Sequence, residues 1–122
     1  MLICEALKGN KTLQSLFVDA NGICTEGAHA LSDLLLDKRS GLLELHVAWN
    51  LISIPGLNSL FIALALTNRK LKFLDVSYNF IEIAVIHSLR QMIEKNKVLK
   101  YLSISDLYKF NERATGALIQ SM

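Results

Sequence analysis

At 122 residues, 52% hydrophobic and 20% charged, the chain is long enough for one domain with a core and too apolar to be disordered. A formal net charge of +2 is too small to imply nucleic acid by itself. No run of about 18 apolar residues could span a membrane, and Glu5 interrupts the apolar start too early for a secretory signal.

In chain order, residues 2–9 read as the end of a helix, with Leu2, Ile3 and Leu7 on one side and a stop at Gly9-Asn10. A strand follows around Leu16-Phe17-Val18. Alternation turns Leu16 and Val18 inward and Ser15, Phe17 and Asp19 outward. Asn21-Gly22 closes it. From Thr25 to Lys38, Ala28, Leu31, Leu34 and Leu35 recur at helical intervals. Thr25 is the expected cap, and Lys38-Arg39 suit the negative end of the helix dipole. In the next helix Ser53 is the expected cap, and Pro55 falls in the first turn. Leu57, Leu60, Ala63 and Leu64 face the core, and the helix runs to about Thr67. A third helix, from about Ile83 to Lys95, offers Ile86, Leu89, Met92 and Ile93.

Gly27 and Gly56 occupy the same place in the first two of these helices, where a missing side chain permits close approach. Val85 stands there in the third. Asn10, Asn68 and Asn96 lie in turns from helix to strand, and Arg39-Ser40-Gly41 in the remaining one. Asn tolerates the left-handed backbone that ends helices, which accounts for it there. Cys4 and Cys24 are both expected as buried free thiols, a usage that fits a reducing compartment.

These elements repeat. Leu71, Leu74, Val76, Asn79 and Ile81 spell L-x-x-L-x-V-x-x-N-x-I. The pattern stands one unit earlier as Leu42, Leu45, Val47, Asn50 and Ile52, and one equal step before that as Leu13, Leu16, Val18, Asn21 and Ile23. The period is about 29 residues, in the range of solenoid repeats. The pattern returns after a step one shorter as Leu99, Leu102 and Ile104, with Leu107 in the Asn position. Each unit is strand, turn, helix, turn. One unit cannot bury its own apolar face, whereas stacked units share a continuous core. The expected boundaries are a partial helix at 1–12, full repeats at 13–41, 42–70 and 71–98, and a divergent repeat at 99–122. The Asn at each strand end is expected to turn inward and satisfy backbone groups of the adjoining loops.

On these residues the chain resembles the ribonuclease-inhibitor-type leucine-rich repeat family. Its repeats are similar to those of NOD-like receptors, tropomodulins, Ran GTPase-activating proteins and axonemal leucine-rich proteins. The resemblance implies an α/β solenoid, a short horseshoe with parallel strands on the concave face and helices on the convex face. It implies a module that binds other proteins, usually through that concave face. Leu107 and Tyr108-Lys109-Phe110-Asn111-Glu112-Arg113 depart from the pattern, which marks the last unit as divergent.

The outward strand positions line up as columns: Ser15, Glu44, Phe73 and Tyr101; Phe17, His46, Asp75 and Ser103; Asp19, Ala48, Ser77 and Ser105; Ala20, Trp49, Tyr78 and Asp106. None of the thirteen Lys and Arg is among them. Exposed aromatic residues on a rigid sheet are the material of binding hot spots, although aromatics also favour strands for stability alone. The expected partner-binding residues are Phe17, His46, Trp49, Phe73, Asp75, Tyr78, Tyr101 and Asp106. The trio of His46, Asp75 and Asp19 is read as surface polar contacts.

The cations gather at the helix-to-strand turns as Lys8, Lys11, Lys38, Arg39, Arg69, Lys70, Lys72, Lys95, Lys97 and Lys100. Favourable interaction with helix dipoles accounts for that rim. A basic edge meeting an acidic partner is the functional alternative. The three histidines lie in different units, and no zinc, P-loop or nucleophile-elbow string occurs. The expectation is therefore a non-enzymatic, cytoplasmic module without cofactor or metal that binds another protein and neither nucleic acid nor membrane. The alternatives are a structural subunit of a cytoskeletal or axonemal assembly, or a fragment of a Ran-type GTPase-activating protein. Leu2, Ile3 and Leu7 at one end, and Leu118, Ile119 and Met122 at the other, predict that further repeats, a dimer mate or a host complex cover the ends.

Overall fold

A computed structural model of the chain describes residues 2–50, 52, 54–81, 83–105 and 108–109. Helices and strands alternate: α1 Leu2–Ala6, β1 Ser15–Phe17, α2 Thr25–Leu36, β2 Glu44–His46, α3 Ile54–Leu66, β3 Phe73–Asp75, β4 Phe80–Ile81, α4 Ile83–Lys95, β5 Tyr101–Ser103 and β6 Tyr108–Lys109. Four short strands form one parallel sheet in the order β1-β2-β3-β5. Parallel neighbours require a crossover between them, which α2, α3 and α4 supply. Ser15, Glu44, Phe73 and Tyr101 stand side by side, as do Leu16, Leu45, Leu74 and Leu102. The pairing therefore advances in step with the sequence pattern, including the shorter step to β5. β4 and β6 form a second short parallel ladder, Phe80 beside Tyr108. That pairing keeps the shorter step too.

The core lies between the sheet and the helices. Leu45, Leu71, Leu74, Leu57, Leu60 and Leu64 are fully buried, with Ala28, Leu31 and Leu89 beside them. Phe61 is buried among them as well, although the helical spacing does not single it out. Along β1, β2 and β3 only the central residue is buried, so one sheet face carries the helices and the other stays open. Gly56 explains how α3 approaches α2. A Cβ there would lie 2.8 Å from Ala28 Cβ and 2.8 Å from Ile52 Cγ2.

Buried asparagines join successive units. Asn50 Oδ1 accepts the N–H groups of Asn21 at 2.7 Å and Ile23 at 3.1 Å, and its Nδ2 donates to the Val18 carbonyl at 2.9 Å. One unit on, Asn79 accepts from Asn50 and Ile52 and donates to the Val47 carbonyl. Both are wholly buried. Each closes backbone groups that would otherwise be buried unpaired, at about 1–3 kcal/mol per group.

Several expectations are corrected. Cys24, not Thr25, is the residue before α2, without a side-chain cap bond, and Thr25 begins the helix. Cys24 is exposed; Cys4 alone of the two is buried, and burial pushes its thiol pKa up. Ile93 is exposed rather than inward. The turn asparagines do not take the left-handed backbone. The non-glycine residues that do, among those described, are Ala20, Trp49 and Tyr78. Asn68 Oδ1 instead accepts from the N–H groups of Lys70 and Leu71, and Asn96 and Asn10 do the same in their turns. The Asn68 and Asn96 amides also donate across to the Leu35 and Leu64 carbonyls. A side chain that caps two N–H groups and ties two units has a reason to be Asn other than backbone freedom. Ser53, Leu107 and the C-terminal Leu118, Ile119 and Met122 lie outside the described residues. Among those described, no helix is long and apolar enough to cross a membrane.

Candidate protein-binding face

The open face of the sheet carries two stacks of rings. Strand alternation brings Phe17, His46, Phe73 and Tyr101 to this face, and their positions follow from the register. Phe17 and His46 are direct neighbours, and their rings stack at 4.0 Å with planes 14° apart. His46 and Phe73 lie on a diagonal and stack at 4.6 Å and 24°. Phe73 and Tyr101 are again neighbours, tilted by 37° at 6.0 Å. The row runs obliquely across the sheet from β1 to β5. Phe17 and Tyr101 close its ends, 61% and 65% exposed. Between Phe17 and Phe73 the His46 side chain keeps 15% of its surface, and its Nε2 lies 3.4 Å from Glu44 Oε2.

The second stack lies past the strand ends. Trp49 and Tyr78 are 3.8 Å apart with planes 11° from parallel. Both have positive φ, 59° and 58°. The ladder holds them: Trp49 N–H donates to the Ser77 carbonyl and Tyr78 N–H to the Ser105 carbonyl. In the preceding unit the equivalent position is Ala20, which also has positive φ and carries no ring. Trp49 is 51% exposed despite its stacking.

The carboxylates hold loops as well as face solvent. Asp19 Oδ1 accepts the Ala48 N–H at 2.7 Å, and Asp75 Oδ1 accepts the Ser77 N–H at 3.0 Å. The acidic group beside His46 is Glu44. Ala48 and Ser77, expected outward, are buried; Ser77 Oγ bonds the hydroxyls of Ser103 and Ser105. Short side chains between two rows of rings do not reach solvent. Asp106, the remaining expected site residue, lies outside the described residues.

Three cations of the basic rim are engaged. The Arg69 guanidinium donates to the Leu64, Ala65 and Asn68 carbonyls at the end of α3, and Lys70 Nζ donates to the Lys38 and Ser40 carbonyls. Arg39 pairs with Asp37 at 3.0 Å, and the guanidinium holds that carboxyl well below the usual carboxylate range. The Arg69 contacts fit a cation placed for a helix C-terminus. Away from the face, Ser59 Oγ lies 2.7 Å from His29 Nδ1 between α2 and α3, but the same hydroxyl donates to the Pro55 carbonyl. That pair joins two helices of different units, and nothing in the local sequence signals it. Among the described residues no group of three His, Cys, Asp or Glu is placed to hold a metal. In comparisons with known proteins, no family model matches this chain and no curated protein matches it.

Proposed function

We propose that the chain is a short leucine-rich-repeat solenoid of the ribonuclease-inhibitor type that binds another protein through the open face of its sheet. The regular pairing step, the helices confined to one face and the shared Asn50–Asn79 bonding support the solenoid. Helices about 10 Å wide beside strands about 4.8 Å apart curve such a stack with the sheet inside. The observation that carries the binding role is the left-handed backbone at Trp49 and Tyr78. A bulky residue there costs about 1–2 kcal/mol that Gly would avoid. Strand propensity explains aromatic residues at Phe73 and Tyr101. It does not explain them where the chain has left β conformation. Strain of this kind collects at sites of function. The partner surface suited to the face presents apolar or cationic groups, since Asp19, Glu44 and Asp75 lie at outward strand positions beside the rings.

The test compares wild type, Trp49→Ala with Tyr78→Ala, and Leu66→Ala on the helical side. A captured partner is purified and titrated against each. The double variant is expected to bind at least about tenfold more weakly, as for a hot-spot pair, while Leu66→Ala binds as wild type. Equal affinity of a folded double variant removes the proposal. One observation favours the second reading, a structural subunit in a larger assembly: Leu36, Ile62 and Leu66 expose apolar surface along the groove between α2 and α3. In that case Leu66→Ala weakens assembly and the double variant does not.

A further inference from the structure

Trp49 ends its stack. A flat ring has two faces, and Tyr78 covers one of them at 3.8 Å. Trp49 is nevertheless 51% exposed, whereas Tyr78 is only partly so. Among the described residues no second ring lies against the indole. The repeat defines the next place in the row. Ala20, Trp49 and Tyr78 are equivalent residues, with φ of 55°, 59° and 58°. The Ala20 N–H donates to the Ala48 carbonyl as the Trp49 N–H donates to the Ser77 carbonyl. The three backbones therefore stand in one row, a unit apart. Each unit gives that row one residue. Two units give a ring, and the one before Trp49 gives a methyl group, so the place is vacated inside the chain by Ala20 itself.

A carboxylate stands beside this place. Asp19 precedes Ala20, and its Oδ1 accepts the N–H of Ala48, the residue before Trp49, at 2.7 Å. That bond fixes the carboxyl group between two units and engages one oxygen. Oδ2 has no donor among the described residues. The equivalent residues Ala48, Ser77 and Ser105 carry no charge. Building on the open-face reading, we propose that Trp49, Ala20 and Asp19 form a subsite for an arginine side chain of the partner polypeptide. The guanidinium lies flat on the uncovered indole face, over the Ala20 methyl group, and its N–H fork donates to Asp19 Oδ2. Three chemistries compete for the place. An aromatic ring would stack, but it would take water from a carboxylate without giving it a donor, which is costly. A lysine ammonium would pair with Asp19 but has no plane to lay on the indole. A guanidinium is planar and cationic, stacks on aromatic faces and matches a carboxylate with two donors. Tryptophan and arginine are also the residues most enriched where binding energy concentrates.

Trp49 is the only tryptophan, so its fluorescence reports the subsite directly. The protein is titrated to millimolar concentration with a capped glycine peptide carrying one central arginine, and with the same peptide carrying citrulline or lysine instead. Citrulline keeps the plane and loses the charge. Lysine keeps the charge and loses the plane. A saturable change is expected with the arginine peptide, and binding at least about tenfold weaker with the other two. Asp19→Asn keeps an oxygen for the Ala48 N–H and removes the charge, and it is expected to weaken the arginine peptide about fivefold or more. Ala20→Tyr sets a ring in the vacated place, in the left-handed backbone that Tyr78 already adopts, and is expected to abolish the response. No saturable change, equal binding of the three peptides, or wild-type binding by both variants overturns the proposal. The captured partner separates this failure from that of the open-face reading. If the Trp49→Ala, Tyr78→Ala double variant loses the partner while Asp19→Asn and Ala20→Tyr hold it as wild type does, the open face stands and the arginine subsite falls. Equal partner affinity of the double variant removes both.

Discussion

Asn50 and Asn21 hold equivalent positions in successive units, yet Asn50 is wholly buried and Asn21 exposed. The difference is the neighbour. Replacing Asn50 by Ala strands the N–H groups of Asn21 and Ile23 and the Val18 carbonyl, all paired through the Asn50 amide. The Ile23 N–H and the Val18 carbonyl are the buried ones, and each buried orphan costs about 1–3 kcal/mol, so Asn50→Ala is expected to lose at least about 2 kcal/mol in urea unfolding. Asn21→Ala loses one exposed bond and is expected to change stability by less than about 0.5 kcal/mol. Similar losses in the two variants mean that the Asn amides do not carry the joints between units. The recurrence of Asn at a fixed step made its inward role legible. The same recurrence made Asn68 and Asn96 look like left-handed turn residues. Bonds to the Leu35 and Leu64 carbonyls, each in the preceding unit, are invisible to a local reading.

Between elements, α2 and α3 meet at Gly56. Two effects of Gly56→Ala oppose each other. Ala favours a helix by about 1 kcal/mol over Gly. Its Cβ, however, would stand 2.8 Å from both Ala28 Cβ and Ile52 Cγ2. Both neighbours are completely buried, and neither is the loose end of a long side chain. Overpacking of this kind costs about 1–3 kcal/mol, so the clash is expected to win and the unfolding midpoint to fall. A raised midpoint would show that the two helices part without loss. Helix periodicity made this contact legible from sequence, because Gly56 and the core face recur in step. It could not reach the surface of the same elements. Ile93 fits the apolar period of α4 yet lies exposed, and Cys24 is apolar by type yet stands outside α2. Which apolar residue is covered depends on what packs there, which one chain's pattern does not contain. The ring stacks were legible as columns, but not the diagonal step from His46 to Phe73 or the left-handed turn under Trp49 and Tyr78. Those depend on strand stagger and rotamers.

Across the whole molecule, the main packing runs between successive helices and successive strands. Two expectations then compete. A domain below about 150 residues ordinarily unfolds as one unit, with uniform protection. A stack whose parts lean on their neighbours is weakest where a neighbour is missing. Burial decides for the second. Leu45 and Leu74 in the middle strands are completely covered, Leu16 at one edge is nearly so, and Leu102 at the other is only half-buried. The amides of Val47 and Val76, which donate to the Asp75 and Ser103 carbonyls, are therefore expected to exchange slowest with solvent. Exchange should quicken at Val18 and at Tyr101, whose strands form the edges. Truncation follows the same order. Leu45→Ala is expected to cost about 2–5 kcal/mol, and Leu102→Ala clearly less, since less of its surface leaves water on folding. Native-state exchange with these two variants separates the cases. Equal protection in all the strands of the sheet, with equal loss from both substitutions, would make the domain one cooperative body. A gradient falling from β2 and β3 toward both edges shows that each strand draws its stability from the one beside it.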